Sequence, residues 1–130
     1  MASTDFKLYS PWQICIATII GSPIAGTILL NRNFKRLSQN KMISKTILSG
    51  TVVMALLVLA SIFATNVQGD IMIVASIGFM KKYADTFQKE KFEAHIENGG
   101  DKENYISVFY VGVVSAIVVI AAIFAFGGTV

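Results

Sequence analysis

Three stretches of this chain contain no charged residue, and each is long enough to cross a membrane as a helix. They run from Trp12 to Leu30, from Ile47 to Thr65 and from Tyr105 to Phe126. At about 1.5 Å per helical residue they reach roughly 28 to 33 Å, which matches a hydrocarbon core of about 30 Å. Most of the charged residues crowd instead into two segments, Arg32 to Lys45 and Lys81 to Glu103. We therefore predict an all-α membrane protein with three transmembrane helices.

The segment between the second and third runs has a different pattern. Ile71 to Met80 is apolar but too short to cross a membrane alone. It continues into a charged stretch in which apolar residues recur every three or four positions, as they do along one face of a helix. Oppositely charged residues four positions apart support this helix, namely Lys81 with Asp85, Asp85 with Lys89, and Lys89 with Glu93. We predict one amphipathic helix over 71–97, with a fourth span over about 71–87 as the alternative.

The composition excludes several classes of protein. Hydrophobic residues make up 54% of the 130 residues and charged residues 15%, against about 25% charged in soluble domains. With one cysteine, Cys15, and one histidine, His95, the chain has no intrachain disulfide and no metal-ligand cluster. No aromatic or glycine-rich nucleic-acid motif accompanies the basic residues. We expect a single membrane domain with no cofactor, no metal and no nucleic-acid partner.

The loop after the first run indicates the orientation of the chain. Residues 31–45 include five basic and no acidic side chains: Arg32, Lys35, Arg36, Lys41 and Lys45. By the positive-inside rule this loop is cytoplasmic, and a single crossing by the first run then places the N-terminus outside. We expect the five basic side chains to contact anionic lipids of the inner leaflet, which are then partners of this loop. Each basic side chain near the surface contributes about 1 kcal/mol to this attraction.

Small residues in the apolar runs indicate where helices pack. The first run contains a proline flanked by small side chains: Gly21, Ser22, Pro23, Ala25 and Gly26. Proline removes a backbone donor and kinks a helix, while small residues four positions apart let another helix approach closely. Gly112 and Ala116 form a similar pair in the third run. We interpret both groups as packing or hinge sites, and the alternative for Pro23 is an ion-lining break in a pore.

Functional chemistry is scarce in the predicted spans. None of the three contains Asp, Glu, Lys, Arg or His, so proton relays and charged-substrate sites lack their usual residues. We expect no catalytic residues, and we expect His95 to be a solvated residue of the amphipathic helix. The leading hypothesis is a non-enzymatic membrane protein acting through helix–helix assembly, as a homo-oligomer or as an accessory subunit of a membrane complex.

Two other hypotheses compete with it. The first is an oligomeric, holin-like pore lined by the Pro23 break and hydroxyl residues. The second is a small transporter or enzyme, which would need residues 81–104 to meet the 31–45 loop. The predicted topology disfavours that meeting, because it places the two segments on opposite sides of the membrane.

The first forty residues also contain a distinctive series of short motifs. A Ser-Pro start at Ser10 and Pro11 leads into Gly21, Ser22, Pro23, Ile24, Ala25 and Gly26, and then into the basic segment Asn33, Phe34, Lys35, Arg36 and Leu37. This pattern resembles a group of small uncharacterised bacterial membrane proteins with an amphipathic helix before the last span. The resemblance implies a multi-pass protein of the bacterial inner membrane, and it implies no activity and no site residues.

Overall fold

The computed structural model describes residues 6–63 and 66–127, and its architecture is almost entirely helical. The elements are β1 (Lys7–Leu8), α1 (Pro11–Arg36), α2 (Asn40–Phe63), α3 (Asn66–Phe87), α4 (Lys89–Glu97), β2 (Asp101–Lys102) and α5 (Tyr105–Gly127). By length and composition alone, three of the described helices could cross a membrane, within Pro11–Arg36, Asn40–Ala60 and Tyr105–Phe126. The predicted all-α class is confirmed. Ala64 and Thr65, which end the second predicted span, lie outside the described residues.

Helix α1 does not run straight. In a straight helix residues 18 and 26 would be about 12 Å apart, yet Gly26 lies directly against the Thr18 side chain. At the other end, the backbone N–H of Tyr9 donates to Asn33 Oδ1 at 2.9 Å, although 24 residues separate the two in sequence. The helix is therefore a hairpin of two antiparallel arms, residues 11–21 and 23–36, whose open ends lie together.

Ser22 forms the tip of this hairpin. Its φ of 76° and ψ of 174° lie outside the helical region. Pro23 follows as the first residue of the second arm, a position where proline is favoured because its missing N–H would have no helical partner. The Ser22 hydroxyl accepts a long hydrogen bond of 3.4 Å from the N–H of Ile24. The kink predicted at Pro23 is therefore a full reversal of the chain.

Replacing Ser22 by glycine should stabilise the protein. The backbone conformation of Ser22 is used almost only by glycine and costs other residues about 1 to 3 kcal/mol. We expect Ser22→Gly to raise the free energy of unfolding by about 1 kcal/mol and Ser22→Val to lower it. Unfolding of the detergent-solubilised protein, followed by circular dichroism, measures both. Ser44→Gly, at an exposed position within α2, should instead destabilise, and a gain there would contradict the explanation.

The other helices pack around the α1 hairpin. The first arm meets α5 where Gly21 lies against Gly112, and the second arm meets α3 where Gly26 lies against Met80. Helix α2 approaches the second arm where Gly50 lies against Thr27. The buried apolar core is formed by Ile14, Ala17, Ala25, Leu29, Leu30, Phe34, Met80, Ala84, Val108 and Val111. The hairpin is thus the centre of the fold.

Helices α2 and α3 form a second antiparallel pair. Only residues 64 and 65 separate them along the chain, and at the far end of the pair the hydroxyls of Thr46 and Tyr83 are 3.0 Å apart. Helix α3 contains 22 residues, about 33 Å of helix, and so accompanies α2 over most of its length. The segment predicted to be an amphipathic surface helix therefore begins as a full-length member of the bundle.

Two predictions need correction. The helix expected over 71–97 begins earlier, at Asn66, and is interrupted at Gln88 between α3 and α4. The expectation that the chain before α1 and the 31–45 loop lie on opposite sides is wrong, because α1 doubles back: Arg36 Nη1 donates to the carbonyl oxygen of Lys7 at 2.5 Å. The predicted loop is also mostly helical, since only residues 37–39 separate α1 from α2.

Candidate functional site at the polar end of the bundle

The hairpin brings four separate segments to one end of the molecule, which we call the polar end. They are residues 6–10, the 37–39 turn with the helix ends beside it, residues 88–104, and the start of α5. Strands β1 and β2 pair in parallel there, Lys7 with Asp101 and Leu8 with Lys102. Arg36, from the 31–45 loop that sequence reasoning placed on the opposite side of the membrane, contacts both Glu103 and Lys7 at this end.

Asn33 is the centre of the hydrogen bonding at this end. Its side chain is 1% exposed and accepts from the Tyr9 backbone N–H. Its Nδ2 donates at 2.8 Å to both the carbonyl oxygen of Tyr9 and Gln88 Oε1. Gln88 Nε2 in turn donates to the carbonyl oxygen of Leu30 at 2.9 Å. These bonds join the two ends of the α1 hairpin to the α3–α4 junction.

A second set of contacts joins α1 to the start of α5. Arg36 Nη1 pairs with Glu103 Oε2 at 2.8 Å, and Gln13 Nε2 donates to the carbonyl oxygen of Glu103 at 2.6 Å. The Tyr9 hydroxyl lies 2.5 Å from the Ser107 hydroxyl and accepts from Arg32 Nη1 at 3.1 Å. Because the Arg36–Glu103 pair is partly exposed, its expected contribution is at most about 1 kcal/mol.

The basic residues singled out from the sequence divide into two groups. Arg32 and Arg36 bond to other residues of this chain, which sequence reasoning did not anticipate. Lys35, Lys41 and Lys45 are exposed around the 37–39 turn. These three lysines therefore remain available for the lipid contacts expected of the basic loop.

Three of the glycines and small residues singled out from the sequence, Gly21, Gly26 and Gly112, lie at helix crossings within the chain. Gly21 and Gly112 face each other, and the side chain of Ala25 lies beside Gly21. Gly26 contacts Thr18 and Met80. Pro23 is buried, whereas Ser22 and Ala116 are half-buried. Sequence reasoning identified these positions but could not say which of them would meet.

His95 lies in a different environment from the one expected. It is buried, its ring stacks on Phe6 with the ring centres 4.8 Å apart, and Gly100 lies directly against it. Its Nε2 is buried and has no hydrogen-bond partner among the residues that the structure describes. The expectation of a solvated side chain is wrong, because the chain before β1 and the turn after α4 cover the ring.

No family model, curated protein or solved structure matches this chain. The described residues also contain no group of three His, Cys, Asp or Glu side chains placed to hold a metal ion.

A charged groove lies beside the polar end, between the start of α1 and the α3–α4 junction. It has a volume of about 210 Å³, and its lining includes Trp12, Lys81, Asp85, Lys89, Phe92 and Glu93. Lys81 Nζ pairs with Asp85 Oδ2 at 2.6 Å and lies 4.6 Å from the centre of the Trp12 ring. The sequence predicted three ion pairs from four-residue spacing, and the structure forms the pair between Lys81 and Asp85. The break at Gln88 interrupts the helical spacing between Asp85 and Lys89.

Proposed function

We propose that this chain is a non-enzymatic, multi-pass membrane protein that acts through helix–helix assembly, as a homo-oligomer or as a subunit of a membrane complex. The observation that best supports this proposal is the uneven packing of α5. In its first half, Gly112 lies against α1, and Val108 and Val111 join the core around α1, whereas every side chain from Ile120 to Phe126 is exposed. The α1 hairpin ends at the level of Gly112, so the distal half of α5 has no helix of the hairpin beside it.

The distal half of α5 has a composition suited to helix association. Ala121 and Ala125 lie four positions apart on its outward side, and both are exposed. Association in membranes relies on close backbone approach at small residues, because lipid tails are as apolar as leucine. The same chain already uses small residues at its internal crossings, at Gly21, Gly50 and Gly112. A partner helix on distal α5 would extend this mode of packing.

The mass of the complex extracted in mild detergent tests this function. A homogeneous multiple of 14.1 kDa, or a stoichiometric second protein, is expected. The double substitution Ala121→Leu with Ala125→Leu should reduce the assembled fraction, while the volume-conserving pair Ile117→Leu with Ile123→Leu should not. A dispersed monomer without an associated protein would overturn the proposal.

The orientation that we propose follows from the charges. All eleven Lys and Arg residues lie at the polar end or in the helical turns that lead to it, whereas Asp70 is the one charged residue near the α2–α3 connection. By the positive-inside rule the polar end is cytoplasmic. Residues 31–45 then keep their proposed cytoplasmic location, and the chain before α1 joins them there. The resemblance of the first forty residues supports the bacterial inner membrane as the location.

In this arrangement α2, α3 and α5 cross the membrane, and α1 enters from the cytoplasmic side and returns to it. The second arm of α1 contains about 21 Å of helix, including polar residues at its end, which is too short to span. Helix α3 supplies the return crossing that connects α2 to the polar end. The number of crossings is still three, but α3 replaces the predicted first span, 12–30, as a crossing helix.

Cysteine labelling from each side of the membrane tests this orientation. In a chain carrying Cys15→Ala, we expect cysteines at Asn40 and Asn98 to react from the same side, because both positions are exposed at the polar end. A cysteine at Asp70, which is exposed near the α2–α3 connection, should react only from the other side. Labelling of Asn40→Cys and Asn98→Cys from opposite sides would contradict the re-entrant hairpin.

A second candidate function is an oligomeric pore, which the interrupted helix favours. Non-helical backbone at membrane depth occurs where it is buried in protein or lines a water-filled cavity, and Ser22 is such an interruption. The hydroxyls of Thr18 and Thr27 are, however, engaged with carbonyl oxygens of their own arms, those of Ile14 and Pro23. Reconstituted protein that causes no conductance or leakage at high density would exclude this function.

A further inference from the structure

The charged groove has features that the assembly proposal does not use. Its four charged side chains are two cations, Lys81 and Lys89, and two anions, Asp85 and Glu93. Asp85 Oδ1 is buried and has no hydrogen-bond partner among the described residues. Lys89 and Glu93, both in the described part of the chain, form no ion pair within 4 Å. The groove therefore offers one buried carboxylate oxygen without a partner, and two exposed, unpaired charges of opposite sign, in a small space.

The groove lies at the depth of lipid headgroups in the orientation proposed above. Trp12 forms one wall, and 65% of its surface is exposed. Tryptophan is enriched at the membrane interface, where its apolar ring and polar N–H suit the headgroup region. Lys81 reaches over the Trp12 ring from α3, as a lysine does when it extends its charge from an apolar surface towards water.

An apolar strip continues from the groove towards the middle of the membrane. On α3, Ile71, Val74 and Gly78 precede Lys81 and Asp85 at steps of three or four residues, so they lie on the same face of the helix. Ile71, Val74 and Gly78 are exposed, and nothing lies within 4 Å of a side chain built at Gly78. A polar groove above an open apolar strip has the shape of one lipid molecule.

We propose that the groove binds a phospholipid whose headgroup contains both a phosphate and a primary ammonium group. The phosphate lies towards Lys89 and Lys81, and the ammonium donates to Asp85 Oδ1 and Glu93. The acyl chains follow Gly78, Val74 and Ile71. A primary ammonium provides three N–H donors, as the lysine side chain does, whereas the trimethylammonium of a choline lipid provides none. The site does not depend on assembly with a second protein.

Trp12 is the one tryptophan of the chain, so its fluorescence reports directly on the groove. The purified full chain is reconstituted in phosphatidylcholine vesicles that contain increasing fractions of brominated phosphatidylethanolamine, phosphatidylcholine or phosphatidylglycerol, whose bromine atoms quench a nearby indole. We expect brominated phosphatidylethanolamine to reach half-maximal quenching at a fraction about tenfold lower than brominated phosphatidylcholine, the ratio supplied by one hydrogen bond to a charged group.

The variants separate the groove from the general surface. Lys89→Gln with Glu93→Gln should remove the preference for phosphatidylethanolamine. Glu90→Gln with Lys91→Gln changes the same charges on the same helix at exposed positions outside the groove, and it should leave the preference unchanged.

Three results would overturn the proposal. Equal quenching by all three lipids would show ordinary contact of Trp12 with surrounding lipid. Stronger quenching by phosphatidylglycerol than by phosphatidylethanolamine would show a site that selects negative charge alone. Equal loss of preference in both double variants would show that charged side chains anywhere on α4, not those of the groove, select the lipid.

Discussion

Replacing Gly21 by alanine is expected to lower the free energy of unfolding by about 2 kcal/mol, because an added methyl group in a well-packed core typically costs about 1 to 3 kcal/mol. A β-carbon at Gly21 would overlap the carbonyl oxygen of Gly112 and lie 2.8 Å from the Gly112 Cα. Both atoms belong to the backbone, so no change of side-chain rotamer relieves the overlap. Helix α5 must move away from the tip of the hairpin, and it loses its closest contact with α1.

Gly78→Ala is the matched control for this substitution. Gly78 is also a helical glycine in an apolar segment, but it is exposed and nothing lies within 4 Å of an added β-carbon. Alanine favours a helix by about 1 kcal/mol over glycine, so this variant should be neutral or more stable. Unfolding in mixed micelles with increasing dodecyl sulfate, followed by circular dichroism, compares the two. Equal losses in both variants would show that close helix contact is not the cause.

The apolar helices were predictable because their signal is local. A charge-free run of this length has few alternatives to a helix in a membrane. Pro23 and its small neighbours also indicated a break within the first run. How far the chain turns at that break depends on the φ and ψ of Ser22 and on bonds between Tyr9 and Asn33. No sequence pattern indicates a contact between residues 24 positions apart. The sequence therefore predicted neither the hairpin nor the fact that its two ends lie on the same side of the bundle.

The break between α3 and α4 was missed for a related reason. Gln88 is neither glycine nor proline, and the charge spacing from Asp85 to Glu93 favours an unbroken helix. In the structure the Gln88 side chain bonds to Leu30 and Asn33 of α1. These buried hydrogen bonds form where the helix is interrupted. Each stabilises the fold by more than the few tenths of a kcal/mol by which an exposed ion pair would favour an unbroken helix. The charged groove follows from this interruption and was equally hidden in the sequence.

Replacing Asn33 by alanine is expected to lower the free energy of unfolding by about 3 to 5 kcal/mol, because each buried group left without a partner costs about 1 to 3 kcal/mol. The substitution removes the partner of the Tyr9 N–H, of the Tyr9 carbonyl oxygen and of Gln88 Oε1. These bonds close the hairpin, whereas the partly exposed Arg36–Glu103 pair contributes little. We therefore expect the two arms of α1 to separate at the polar end before the rest of the bundle unfolds.

Asn31→Ala provides the comparison, two residues earlier on the same arm. Asn31 Oδ1 is buried without a hydrogen-bond partner among the described residues, so its removal should be neutral or stabilising. Spin labels at Lys7 and Lys35 measure the separation of the hairpin ends, and the same unfolding titration measures stability. A wider distance distribution is expected for Asn33→Ala only. If Asn33→Ala keeps the ends together and costs no more than Asn31→Ala, then apolar packing at the tip, rather than the buried amide, holds the α1 hairpin closed.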